Sequence, residues 1–378
     1  MNEFVSRPEK REYKCLMKRL FAFMAAVFAA AMSLAPSSAA LAQEDDLDFI
    51  LSVLEEDYAG WETKTAEGRE AEFEEQVALA RQRVAEHPEA RLWAFAMLLE
   101  WFRDDHLGLR ANVVWPDNPW ADQRAEGRKY DFVPALVDEF AVTRLSDDTI
   151  MVRAPDFFVE NAETFAALLA EHHEEITSTP NLLIDIRGNR GGGDLTYAPL
   201  MAYLYTRPIY GIAPEIRATP RNLATLQENV SSGEYGAEVQ EFVANILARA
   251  AETEGEWVPM FADGFVIETY PQVHELPKRV GILTEGAGSS GDQFVIDARF
   301  SSKVALLGAP TAGVIDYSNI ITMDAPSGEF ALAWPMTRSM RLPEEPFDNV
   351  GVPVDVPYPD GVTDQVQWAQ NWLERQVD

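Results

Sequence analysis

Ser289 and Ser290 sit in residues 281–300, Gly-Ile-Leu-Thr-Glu-Gly-Ala-Gly-Ser-Ser-Gly-Asp-Gln-Phe-Val-Ile-Asp-Ala-Arg-Phe. A hydroxyl held at a sharp turn can attack a carbonyl carbon when a base takes its proton and N–H groups receive the developing negative charge. The surrounding residues predict such a turn. Residues 280–283 form a short apolar run of strand character, Gly286 and Gly288 interrupt it, and Phe294, Val295 and Ala298 begin a helical pattern. The helix's first N–H groups have no intrahelical partners and point toward whatever the hydroxyl attacks. The same residues also fit a plain helix start, with either serine as N-cap and Asp292 as a first-turn acid.

Residues 181–194 are the second chemical stretch. An apolar strand over 182–186 runs into three successive glycines, Gly191 to Gly193, and a helix over 195–205 follows. The loop lacks the lysine and spacing of a nucleoside-triphosphate loop, so Gly191 and Gly192 are candidate donors to an oxyanion. The candidate base is His106, in Arg103-Asp104-Asp105-His106, where a helix that is apolar nearly all round (90–102) gives way to an extended segment. Imidazole is the side chain whose charge changes near neutral pH. His172-His173-Glu174-Glu175 reads as a solvated helix end, because adjacent residues on a helix face different directions and cannot share a metal.

These residues need elements to hold them. Residues 48–105 are helical in pattern, with Phe49, Ile50, Val53 and Leu54 on one face and Phe73, Val77 and Ala80 on another. From residue 149 onward strands and helices alternate: a strand at 149–154, a helix at 162–175, a strand at 303–308 and an amphipathic helix at the C-terminal end. The alternation predicts an α/β core. Residues 206–263 are polar and partly helical, clearest at 239–251, and read as a lobe or cover.

Lys14, Lys18 and Arg19 precede an apolar run over 20–34 and Ala-Leu-Ala at 40–42, the parts of a secretory signal peptide ending at Ala42. The one cysteine, Cys15, lies in that leader, which leaves no disulfide and no thiol nucleophile. Net charge is −31, and removing the six basic and three acidic side chains of residues 1–42 deepens it to −34. Such a surface repels nucleic acid and anionic lipid. The expectation is a periplasmic or secreted bacterial protein without stable membrane insertion, its oligomeric state open. Roughly 330 residues after the leader can bury one large core or two.

Together these stretches resemble the tail-specific, or C-terminal processing, serine peptidase family, in its branch nearest the tricorn core protease. The marks are Asp-x-His (104–106), Asp-x-Arg-x-Asn-x-Gly-Gly (185–192), Ser-x-Gly-acid (289–292), Gly-x-Pro-Thr-x-Gly (308–313) and Asn-x-Gly-Val (349–352), in the family's order. The resemblance implies a Clp-protease/crotonase-like α/β core of strand-strand-helix units over 111–378, preceded by a helical region at 43–110 and carrying an insertion at 206–263. It selects Ser289 over Ser290 as nucleophile. Val314 stands where processing peptidases carry a lysine base, and Lys303 lies too early to replace it. The branch's histidine base and C-terminal acid map onto His106 and Asp348. Asp105 directly precedes the histidine, and either aspartate can hold the imidazole. The oxyanion hole would be the Ser290 N–H with that of Gly191 or Gly192, while Arg187 and Asn189 brace the loop. Residues 107–148 are too few for the family's usual peptide-binding PDZ domain, which leaves substrate selection to 206–263. The implied activity is hydrolysis of peptide or protein substrates through an acyl-enzyme, with neither metal nor cofactor. Two competing readings are a non-catalytic ligand-binding module, as in retinoid-binding relatives, and an esterase or amidase acting on small acyl substrates.

Overall fold

A computed structural model describes residues 46–123, 139–231, 237–253 and 256–376. The expected leader, its cleavage point and Cys15 lie outside the described residues.

Two sheets organise the chain. The first has six strands in the order Val356–Pro357, Val304–Gly308, Arg279–Leu283, Asn181–Asp185, Thr149–Arg153 and Ala141–Arg144. All neighbours are parallel except the last pair. Parallel strands covered on both faces need apolar side chains on both, and the strands supply them by alternation. Ile150, Val152, Leu182, Ile184, Val280 and Ile282 face the helices Ala162–Glu171, Asp194–Leu204 and Ser290–Ala298. Met151, Leu183, Leu283 and Leu307 face the C-terminal helix Gln365–Arg375 through Ala369 and Leu373. This is the α/β core that the alternation predicts.

The second sheet is antiparallel. Gly108–Ala111, Phe330–Ser339, Pro214–Arg217 and Trp257–Pro259 lie in that order, and Tyr317–Asp324 also pairs with Phe330–Ser339. Its core combines three N-terminal helices, Asp46–Glu56, Glu70–Glu86 and Arg91–Glu100, with Pro220–Ser231 and Ala237–Glu252. Residues 206–263 are therefore no separate cover. They share one hydrophobic core with the helical region at 43–110, because the amphipathic helices from both segments need the same sheet to bury their apolar faces. A two-stranded ribbon, Ile209–Ile212 with Phe265–Glu268, completes the described strands.

The nucleophile candidate follows Arg279–Leu283 of the first sheet. The base candidate immediately precedes Gly108–Ala111 of the second. The site forms where the two sheets meet.

Candidate active site

Ser289 caps the helix Ser290–Ala298 with φ 58° and ψ −120°. An L-residue in such a region costs of order 1–3 kcal/mol and persists only where its surroundings over-determine it. Here Asp292 does so. Its buried carboxylate accepts the Ser289 N–H at 2.9 Å, and also those of Gly313 at 3.0 Å and Val314 at 2.9 Å. One acid thus ties the serine turn to the 308–313 turn. Burial pushes that carboxyl up to about 6, against the opposing pull of its hydrogen bonds.

The structure distinguishes the two serines. The Ser290 hydroxyl donates to the Gly192 carbonyl at 3.0 Å, while the Ser289 Oγ lies 3.2 Å from His106 Nε2.

The glycine loop packs directly against this turn. At Gly191, with φ +75°, an added Cβ would sit 2.6 Å from the Ser289 Cβ. At Gly192, with φ +139°, it would sit 2.2 Å from the Phe157 backbone. Only glycine fits either place. Asn189 braces the loop: its Nδ2 donates to the Ala154 carbonyl at 2.9 Å, its Oδ1 accepts the Gly191 N–H at 2.8 Å, and its carbonyl accepts the Gly288 N–H at 2.9 Å. Arg187 is held by the buried carboxylate of Asp185 at 2.7 and 2.8 Å. The expectation that Gly191 serves as an oxyanion donor is corrected here, since its N–H is already taken by Asn189. The N–H groups of Gly192 and Ser290 have no hydrogen-bond partner among the described residues, and both residues line the cleft that holds Ser289.

On the other side, Asp104 accepts the His106 backbone N–H at 2.9 Å and the Tyr58 hydroxyl at 2.7 Å, fixing the turn that carries the ring. The ring's Nδ1 lies 2.6 Å from the Tyr317 carbonyl. A carbonyl only accepts, so Nδ1 carries the proton and Nε2 presents its lone pair to the Ser289 hydroxyl.

The expected orienting acid is thereby corrected. Neither Asp348 nor Asp105 reaches the ring; Asp105 points to solvent. Asp348 acts one step removed. Its Oδ1 accepts the N–H groups of Ile315 at 3.0 Å and Asp316 at 2.8 Å, and the Asp316 Oδ2 accepts those of Phe347 and Asp348, both at 2.8 Å. This reciprocal clamp ends at the residue before Tyr317, whose carbonyl holds the imidazole. Burial, followed by the nearby Asp104 charge, raises the Asp348 pKa, and Lys64 at 3.5 Å opposes the rise.

Among the described residues no lysine takes the base position: Val314 is buried, and Lys303 donates to the His274 carbonyl. His172 and His173 bond separately, to Glu175 at 3.0 Å and to the Tyr203 hydroxyl at 3.1 Å. Among the described residues no group of His, Cys, Asp or Glu is arranged to hold a metal ion.

The Tyr317 carbonyl and the Asp316 clamp escape a reading of the sequence. The Asp-x-His motif marks Asp104, but a main-chain carbonyl carries no residue signature.

The cleft between the two sheets encloses about 660 Å³, part of it open to solvent, and is lined by His106, Ser289, Gly192, Ser290, Asn319 and Arg341 among others.

No protein-family model and no curated protein sequence matches the chain. Solved structures do. Mature CPAF shares 13% identity over 87% of this chain and 95% of its own, with a TM-score of 0.57. CPAF complexed with lactacystin aligns with 13% identity over 87% and 96%, at 0.58. A candidate peptidase from Parabacteroides merdae shares 13% identity over 90% and 100%, at 0.55. The chain has the fold of these proteins, from its N-terminal helices through the α/β core.

Proposed function

We propose that this protein is a serine peptidase that cleaves peptide bonds through an acyl-enzyme on Ser289. The observation that carries the reading is the ordered relay from the Tyr317 carbonyl through the His106 ring to the Ser289 hydroxyl, with contacts of 2.6 and 3.2 Å. In the first step the Ser289 oxygen bonds to the substrate carbonyl carbon while its proton passes to Nε2. The carbonyl oxygen becomes an oxyanion facing the Gly192 and Ser290 N–H groups. Collapse breaks the C–N bond, and Nε2 returns the proton to the departing amine. Water, deprotonated by Nε2, then hydrolyses the ester and restores Ser289.

Strain at Ser289 supports this over a purely binding role, because a helix cap alone does not require φ +58°. We further propose that residues 1–42 direct export to the periplasm or beyond. Among the described residues no helix is long and apolar enough to cross a membrane.

The test is hydrolysis of a fluorogenic peptide library by the chain and by Ser289→Ala. Turnover by the first and none by the second is expected. Equal turnover by both would remove Ser289 from the mechanism, and hydrolysis of simple esters alone would turn the reading toward an esterase.

A further inference from the structure

The cleft beside Ser289 does not end at the nucleophile. Asp194, Ile212, Pro214 and Gln293 line both this cleft and an adjoining pocket of about 430 Å³, part of it open to solvent. Ile209, Ala213 and Val266 give this pocket apolar lining, and Asp194, Glu268 and Asp297 give it acidic lining. Each acid comes from a different element. Asp194 opens the helix after the glycine loop, Asp297 lies two turns into the nucleophile's helix, and Glu268 ends a strand of the ribbon.

The protein leaves these acids short of positive charge. Asp297 accepts the Tyr197 hydroxyl at 2.7 Å and the Gln293 amide at 2.8 Å, both neutral donors. Among the described residues Glu268 has no side-chain hydrogen-bond or ion-pair partner, and no lysine, arginine or histidine pairs with any of the three acids. Burial pushes Asp194 up to about 6 and Glu268 up to about 7, and it raises Asp297 as well, with mutual repulsion adding to the rise for Glu268 and Asp297. Carboxyls raised this way hold their protons until a cation sits beside them, and its charge then favours the ionised form.

We infer that this acidic pocket receives the substrate side chain on the acyl side of the cleaved bond, and that it takes lysine or arginine. The inference rests on the peptidase reading and names its substrate class. A long aliphatic stem would lie along the apolar lining while its cationic end meets the acids. A leucine would leave the acids without a countercharge, and a glutamate would add a like charge. The chain's net charge of −31 also steers cationic peptides toward the cleft.

The test uses fluorogenic peptides that differ only in the residue before the cleaved bond: lysine, arginine, citrulline, leucine or glutamate. Lysine and arginine are expected to exceed citrulline and leucine by at least about 10-fold in kcat/KM, and glutamate to fall about 100-fold below leucine. In Glu268→Gln the lysine-to-leucine ratio should drop by about 10-fold or more. Equal rates for arginine and its neutral isostere citrulline in the unsubstituted protein would overturn the inference and leave the peptidase reading intact. If no peptide is cleaved, calorimetry with benzamidine reads the pocket alone. Saturable binding that weakens about 10-fold in Glu268→Gln upholds the pocket while the peptidase reading fails, and no binding overturns the pocket.

Discussion

Ser289 is positioned within one continuous stretch of chain, in which the strand Arg279–Leu283, a turn and the helix Ser290–Ala298 follow each other and Asp292, three residues on, secures the turn. His106 is positioned across the whole molecule. Its ring is held by a carbonyl 211 residues away, and that carbonyl is set by a clamp between Asp316 and Asp348. A nucleophile needs a strained local turn, which a short motif can encode. A base needs a tautomer and a direction, and any well-placed acceptor supplies both, whether carboxylate or main chain. The serine side is therefore written in consecutive residues, and the histidine side in the register of an antiparallel hairpin.

The largest effects should come from removing either partner of the pair. Ser289→Ala and His106→Ala should each lower kcat on the order of 10⁶-fold, with circular dichroism unchanged, because a nucleophile and its base fail as a unit. A loss confined to one of them would break the pairing.

Next comes the serine side's support. Gly192→Ala places a Cβ 2.2 Å from the Phe157 backbone at φ +139°, so the loop must shift and carry its N–H away from the oxyanion. The expected loss in kcat is about 10²–10³-fold, the size of one oxyanion donor, checked by steady-state kinetics together with the melting temperature.

The histidine side is tested by paired carboxylate variants. Asp348→Asn should cost well short of the roughly 10⁴-fold lost when a triad carboxylate is removed, because the Tyr317 carbonyl still holds Nδ1. Asp105→Asn, at a residue facing solvent, should change kcat/KM by less than about 3-fold. A 10⁴-fold loss in either would restore a carboxylate as the direct orienter.

The smallest effect concerns stability. Burial raises Glu268 to about 7 and Asp194 to about 6. The folded state therefore binds protons more tightly than the unfolded chain. The stability from these groups is fully present below the ordinary carboxylate range near 4 and is lost as pH rises through 6 to 7. Glu268→Gln should raise the melting temperature at pH 8, by about 1–3 kcal/mol of stability, and leave it nearly unchanged at pH 4. An equal shift at both values would mean that the carboxyl is not perturbed.

The same contrast explains what the sequence made legible. The four central strands of the first sheet were readable from their apolar runs, though not its edge strands Ala141–Arg144 and Val356–Pro357, and the serine turn and glycine loop were readable from their glycines, because all of these depend on neighbours in the chain. The strand Phe330–Ser339 was not. It is buried almost throughout, so no polar alternation marks it. It also contains Pro335, a residue that argues against a central strand. The fold accommodates that proline because Gly108–Ala111 pairs with residues 330–333 and Pro214–Arg217 with residues 337–339, so on that edge Pro335 falls between the two. Without this strand and its partner Tyr317–Asp324, the holder of His106 could not be foreseen, and an aspartate, Asp348 or Asp105, was expected in its place. The acidic pocket was hidden for a related reason, since Asp194, Glu268 and Asp297 come from three elements that only tertiary packing brings together.

The most direct test of the central claim is to react the protein with a fluorophosphonate and map the adduct by peptide mass spectrometry. The Ser289–His106 pair requires one adduct, on Ser289, with a labelling rate that collapses in His106→Ala and persists in Asp105→Asn. An adduct on Ser290 or elsewhere, or a rate indifferent to the loss of His106, would contradict it.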